Sequence, residues 1–322
     1  MNLIEKLEPA ILILAIILGL ILSNIEVLSN NTGNLINLFL CIMLYGIFLE
    51  VPLKNLKKSF KNIKFSSTSI IINFIWTPLF GYFLGNLFLN GNIDIFIGFF
   101  MLILTPCTDW YLVFTKMAKG DMNLSLSILP INLVLQIILL PVYLIIFFSS
   151  HNTLNYTNLA YSLIIVIVIP FLLAQITKLI LNDRLNKKVT DFFSNYQIIF
   201  LALAVFAIFN SQGKLLFENL NSILSIFIPL IAFFITNMII DLLLSEQINF
   251  TYEEYASLTM TTLARNSPLA LAIAINSFPN HELIAIALVI GPLIELPVLY
   301  IVSRFVLWIK KSGLFFTCRI NI

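Results

Sequence analysis

Long apolar runs, rather than an alternation of apolar and polar positions, dominate the chain. They occupy 9–28, 35–51, 65–89, 93–118, 122–149, 157–181, 192–212, 222–244, 253–275 and 282–309. Most are close to the ~20 residues that cross a bilayer as an α-helix. Short clusters of turn-forming residues separate them, among them SNNTGN, NGN, SSHNTLN, NSQGK and NSFPNH. The two-residue period of a strand is missing, which argues against a transmembrane barrel. The pattern predicts an all-α membrane protein of ten spans, a single domain over 1–322, with no soluble domain or linker. The first run resembles a signal-peptide core, but it ends in LSNIEVLSN without a small-residue cleavage site. It is read as a retained helix.

Composition agrees: 60% of the 322 residues are hydrophobic and only 11% are charged, with a mean hydropathy of +1.00. Soluble chains carry roughly a quarter charged residues. The placement of the charges tests the span count through the excess of Lys and Arg in cytoplasmic loops. With the N-terminus inside, the inner segments hold Lys6; Lys54, Lys57, Lys58, Lys61 and Lys64; Lys116 and Lys119; Lys178, Arg184, Lys187 and Lys188; and Arg304, Lys310, Lys311 and Arg319. The outer loops hold Lys214 alone, so sixteen basic residues face one, and Arg265 is left inside an apolar run. A miscounted helix would scramble this alternation. The expectation is a multi-pass protein of the plasma membrane, in contact with the lipid bilayer, with both termini cytoplasmic. A net charge of +2 is too small to point to nucleic acid. Cys41, Cys107 and Cys318 have no paired spacing, so no metal site, disulfide framework or cofactor is indicated.

A weak internal repeat lies at a shift of 156 residues, where LLPVYLIIF (139–147) falls over ELPVLYIVS (295–303) and LTPCTDW falls near TLARNSP. Two halves of five helices each, 1–153 and 154–322, must then be inverted relative to one another. Inverted repeats with paired broken helices place a transport site near the bilayer midplane.

Both breaks carry polar residues. Pro106 in span four lacks an N–H and disfavours helix at Thr105; Pro268 in span nine follows Arg265, Asn266 and Ser267. The backbone groups freed there need partners, and a substrate or ion can supply them. Asp109 and Arg265 are charges that hydropathy does not excuse, each costing roughly 2.5–3.5 kcal/mol at the bilayer centre on insertion scales. They correspond at the repeat shift and are expected to pair where the helices cross. Glu295, between Pro292 and Pro297, is expected to be buried where desolvation disfavours its charge, which suits it to proton uptake and release. Cys107 and Thr108 sit at the span-four break. Asn132 and Gln136, one turn apart on span five, are candidates to line a cavity, whereas Asn73 and Asn237 read as hydrogen-bonding glue between helices. Glu50 and Asp241 are expected near span ends, in contact with water.

Together TPCTDWYLVFTKMAKGD, LPINLVLQIILLPVYL, TLARNSPLALAIAI and VIGPLIELPV resemble the bile acid:sodium symporter superfamily, most closely its arsenical-resistance branch of arsenite efflux permeases. The resemblance implies a ten-helix fold divided into a panel and a core, with spans four and nine crossing in the core. It also implies an essential cysteine at the span-four break and a glutamate in span ten, matched here by Cys107 and Glu295. Neutral As(OH)3 offers no charge to select, but a soft thiolate binds arsenic. In the sodium-coupled branch, span nine carries a carboxylate and a glutamine that help coordinate sodium. The matching positions here are Thr261 and Arg265, which favours protons as the coupling ion.

The leading expectation is a proton-coupled secondary transporter exporting arsenite or a similar metalloid, with Cys107, Thr108, Asp109, Asn132, Gln136, Arg265, Asn266 and Ser267 around the substrate. The alternative is a sodium- or proton-coupled carrier of small organic anions, which a cation at the crossing would suit. An enzyme is not expected: His151 and His281 fall in outer loops, and no metal-ligand cluster or clear base accompanies Cys107.

Overall fold

The computed structural model describes residues 3–23, 25, 32, 35–50, 62–108, 110–149, 160–161 and 163–312. Over its described residues every apolar run is mainly helical, with interruptions at 105–108 and 264–266. The first half contains α1 (Leu3–Leu22), α2 (Ile36–Glu50), α3 (Ile63–Phe88), α4a (Ile93–Leu104), α4b (Trp110–Met117) and α5 (Met122–Phe148). The second contains α6 (Ile169–Ile180), α7 (Asp183–Glu218), α8 (Phe227–Ile248), α9a (Tyr252–Leu263), α9b (Ser267–Ser277) and α10 (Glu282–Ser312). Among the described residues there is no β-strand. Among the described residues, five stretches are long and apolar enough to cross a membrane whole: Ile63–Phe88, Met122–Phe148, Asp183–Gly213, Leu220–Ile248 and Glu282–Ser312. Leu79, Phe83, Ile146, Leu179 and Ile301 are exposed on the outside of the bundle. Such a surface needs lipid rather than water against it.

Helix ends follow the polar clusters. The side chains of Asn62, Asn92 and Asp121 accept backbone N–H groups at the starts of α3, α4a and α5. Thr251 and Glu254 form a reciprocal capping box on α9a. Asn249 ends α8 in the left-handed region at φ 58°. α7 begins well before the apolar run at 192, because Asn182 caps a polar first stretch by accepting from Leu185 N at 2.9 Å. Hydropathy marks only the apolar part of that helix.

Interior prolines leave carbonyls that other groups must satisfy. In α3, Pro78 cannot donate to the Phe74 carbonyl, and a π-helical turn occupies Ile72–Trp76. The Tyr143 hydroxyl from α5 donates to that carbonyl. The turn also sets the place of Asn73 in the wall of the core.

The helices pack in two groups. α1 and α2 pack on α7, and α6 packs on α2; α4a packs on α3 and α10, α9b on α10, and α8 on α9a. Contact between the groups runs mainly through α10 against α1 and α7, and α9b against α2. There Asn276 donates to Asn37 Oδ1 at 2.8 Å. Small residues allow the close approaches around α4a: a Cβ at Gly85 would lie 1.9 Å from the Phe96 ring, and one at Gly98 would lie 2.9 Å from the Ile284 carbonyl of α10.

Candidate functional site

The two interrupted helices meet at their interruptions. α4a ends at Leu104 and α9a at Leu263, and between them Pro106 and Arg265 form an antiparallel bridge. Its bonds follow from the prolines. Pro268 cannot donate to the Ala264 carbonyl, and the Cys107 N–H takes that place at 2.9 Å. In return Asn266 N donates to the Thr105 carbonyl at 2.6 Å. Pro106 likewise leaves Leu102 O without its helical donor, and the Thr105 hydroxyl reaches it at 3.2 Å. Asn266 Oδ1 accepts from Leu269 N and starts α9b, while its Nδ2 donates to Thr108 Oγ1 at 3.4 Å. Pro268 itself lies in the first turn of α9b, where a missing N–H costs nothing. The span-nine break is therefore residues 264–266, ahead of the proline.

Glu295 belongs to this crossing although it is on α10. It is buried, and its Oε1 accepts from the Arg265 backbone N–H at 2.7 Å, satisfying a donor that the broken helix leaves open. The Arg265 side chain is also buried. Its guanidinium donates to the Thr262 carbonyl and, at 3.3 Å, to Asn73 Oδ1 of the α3 π-turn, and it lies 4.8 Å from the centre of the Phe233 ring. Among the described residues, Glu295, Asp241 and Cys107 are the acidic or thiol groups within electrostatic reach of this cation.

The crossing thus brings together Pro106, Cys107, Thr108, Arg265, Asn266, Ser267 and Glu295. Cys107, Thr108, Asn266 and Ser267 are all buried. Ser267 and Pro268 line a cavity of about 10 Å³ between the two helix groups, walled by Leu12, Val205 and Pro292. That is space for one water. Asn132 and Gln136 are buried on α5, but no hydrogen bond ties them to the crossing, and none of their four amide atoms has a partner. Asp109 lies outside the described residues, as do Cys318, His151 and the lysines of 54–61.

One expectation is corrected. Asp241 does not meet water at a span end: α8 continues to Ile248, so Asp241 lies almost two turns inside it and is fully buried. Its Oδ2 accepts from Thr262 Oγ1 at 2.5 Å. Glu50, by contrast, is the last residue of α2 and half-exposed, within electrostatic reach of Lys178. Asp241 is the functional candidate that sequence reasoning missed. The signal available for it was the one-turn spacing of Asn237, Asp241 and Ser245 in an apolar helix.

A helical bundle of this apolarity, with two interrupted helices bonded to each other in its interior, belongs to the membrane transporters, and comparison with known proteins agrees. The chain belongs to the sodium bile acid symporter family, whose profile matches residues 37–219. It is 26% identical to the arsenical-resistance protein Acr3 of Corynebacterium glutamicum over 95% of this chain and 89% of that protein. It is 23% identical to the arsenical-resistance protein Acr3 of Alkaliphilus metalliredigens, over 80% of this chain and 77% of the other. An uncharacterized transporter of Synechocystis is 23% identical over 98% and 91%.

Proposed function

We propose that this protein is a secondary transporter that exports arsenite or a similar metalloid in exchange for protons. Its ten helical runs would span the plasma membrane as two inverted five-helix repeats, 1–153 and 154–322, with both termini in the cytoplasm. The observation that carries the proposal is the buried Cys107 thiol at the crossing, with Glu295 of α10 bonded to the facing break through Arg265 N. The similarity to two arsenical-resistance proteins supports the choice of substrate.

The chemistry balances. The thiol proton leaves to Glu295, and the thiolate forms an S–As bond as one hydroxide departs from As(OH)3 and takes that proton as water. Release is the reverse, with water returning the hydroxide to arsenic and the proton to sulfur. Ligation alone moves no net proton, so coupling rests on Glu295. It takes a proton from outside once the site is empty, carries it inwards, and gives it up before arsenite binds again.

The position of Arg265 supports a neutral solute over an organic anion. Its guanidinium is engaged by Thr262, Asn73 and Phe233, on the α3 and α8 side of the core, away from the cavity beside α1 and α7. Asn132 and Gln136 remain candidates to line the path when the core shifts against α1, α2, α6 and α7.

The test is expression in an arsenite-sensitive host. The wild type should lower cellular arsenic and restore growth, and Cys107→Ser should abolish both at equal membrane abundance. Full activity in Cys107→Ser would remove the thiol step. Sodium-dependent stabilisation by organic anions, with no effect of arsenite, would replace the proposal with the anion carrier.

A further inference from the structure

On one face of α8, Asn237, Asp241 and Ser245 follow one another at one-turn spacing, and all three are fully buried against an otherwise apolar core. α8 packs on α9a, which carries Thr259 and Thr262. Two side-chain atoms of α8 in the seam have protein partners: Trp76 Nε1 donates to Asn237 Oδ1 at 2.8 Å, and Thr262 Oγ1 donates to Asp241 Oδ2 at 2.5 Å. Four more have none, Asn237 Nδ2, Asp241 Oδ1, Ser245 Oγ and Arg265 Nε, while Thr259 is in hydrogen-bond contact with Tyr255 on α9a itself. Buried polar atoms nearly always have partners, and ordered water supplies them where protein does not. Ordered water would complete these open donors and acceptors.

We propose that this seam is a hydrated proton path between the crossing and the cytoplasm, with Asp241 as its proton-carrying carboxylate. The proposal rests on the proton-coupled function above and names the route by which Glu295 delivers its proton. A set of contacts holds the two carboxyls around one cation: Glu295 accepts from Arg265 N, the Arg265 guanidinium donates to the Thr262 carbonyl, and the Thr262 hydroxyl donates to Asp241. From Asp241 the seam runs one turn on to Ser245, near the end of α8, which faces the cytoplasm in the proposed topology.

In the transfer, the O–H bond of Glu295 breaks, the proton passes along water, and an O–H bond forms on Asp241. Asp241 then loses the proton to cytoplasmic water, and no bond between heavy atoms changes. Arg265 stays charged throughout, which favours one shared proton over two across the flanking carboxyls. Tyr255 on α9a is within electrostatic reach of Asp241, and Tyr252 on α9a and Glu246 on α8 are within reach of Tyr255. α3 contributes Asn73 and Trp76 to this region and α10 contributes Phe305 and Trp308, none of which titrates.

The test is the full-length protein in proteoliposomes, with arsenite as the probe and a trapped pH dye reporting protons. Asp241→Asn keeps the acceptor for Thr262 and should fold. It should lower proton-driven arsenite accumulation at least tenfold while arsenite still raises its melting temperature as in the wild type. Asp241→Glu should recover part of the accumulation. Wild-type accumulation and pH profile in Asp241→Asn would overturn the path and leave the coupling intact. Loss of arsenite binding together with transport, without recovery in Asp241→Glu, would also overturn it in favour of a structural role. Arsenite transport without proton movement in the wild type would overturn the coupling and the path together.

Discussion

The bond between Glu295 and the broken backbone of span nine separates two roles of one side chain. Glu295 Oε1 accepts from Arg265 N at 2.7 Å in a buried setting beside the Arg265 cation. Hydrogen bonds to charged groups contribute about 1.5–3 kcal/mol, and neutral ones about 0.5–1.5. Glu295→Gln keeps an acceptor and removes the charge, so it should cost about 1–2 kcal/mol of stability. Glu295→Leu removes the same charge and in addition leaves the Arg265 N–H unmet, at about 1–3 kcal/mol more. It should be clearly the less stable of the two. Thermal unfolding in detergent orders the variants: wild type, then Gln by a few degrees, then Leu lower still. Arsenite accumulation in everted vesicles supplies the second reading, because Gln cannot carry a proton and should be inactive despite folding. If Leu is as stable as Gln, the bond to the break contributes nothing. If Gln transports with the wild-type pH profile, Glu295 is not the coupling group.

Further predictions follow from other contacts. Arg265→Met should destabilise by about 3–5 kcal/mol because it leaves buried carboxylates without their cation. Combining it with Asp241→Asn should recover at least about 1 kcal/mol in a double-mutant cycle, and strict additivity would show that the two do not interact. Gly98→Val should cost about 1–3 kcal/mol or more through overpacking against Ala287 and the Ile284 carbonyl, read as a lower melting temperature. Tyr143→Phe should cost about 1–3 kcal/mol by leaving the Phe74 carbonyl without its donor. A fluorescent protein fused after Ile322 should be bright, as cytoplasmic fusions are, and a periplasmic phosphatase there should be inactive.

The helical runs were legible because lipid demands apolar blocks of nearly fixed length, and both breaks were legible because Pro106 and Pro268 cannot donate. What the breaks bond to was not. The pairing of Thr105 with Asn266 and of Cys107 with Ala264 joins residues nearly 160 positions apart, and no local pattern encodes it. Glu295 was placed by its burial, but its acceptor role toward Arg265 N depends on how α10 lies across the break. Asp241 was misplaced for a specific reason. The apolar run ends at 244, whereas α8 continues through polar residues to Ile248 and draws Asp241 into the core. The expected partner of Arg265, Asp109, lies outside the described residues, while Asp241 and Glu295 are both close to the cation.

Direct ligation of arsenic by Cys107 is best tested by arsenic X-ray absorption on the purified, arsenite-loaded protein. The wild type should show a sulfur scatterer in the first shell of arsenic that Cys107→Ser replaces with oxygen alone. An all-oxygen shell in the wild type, at full occupancy, would contradict the thiol mechanism.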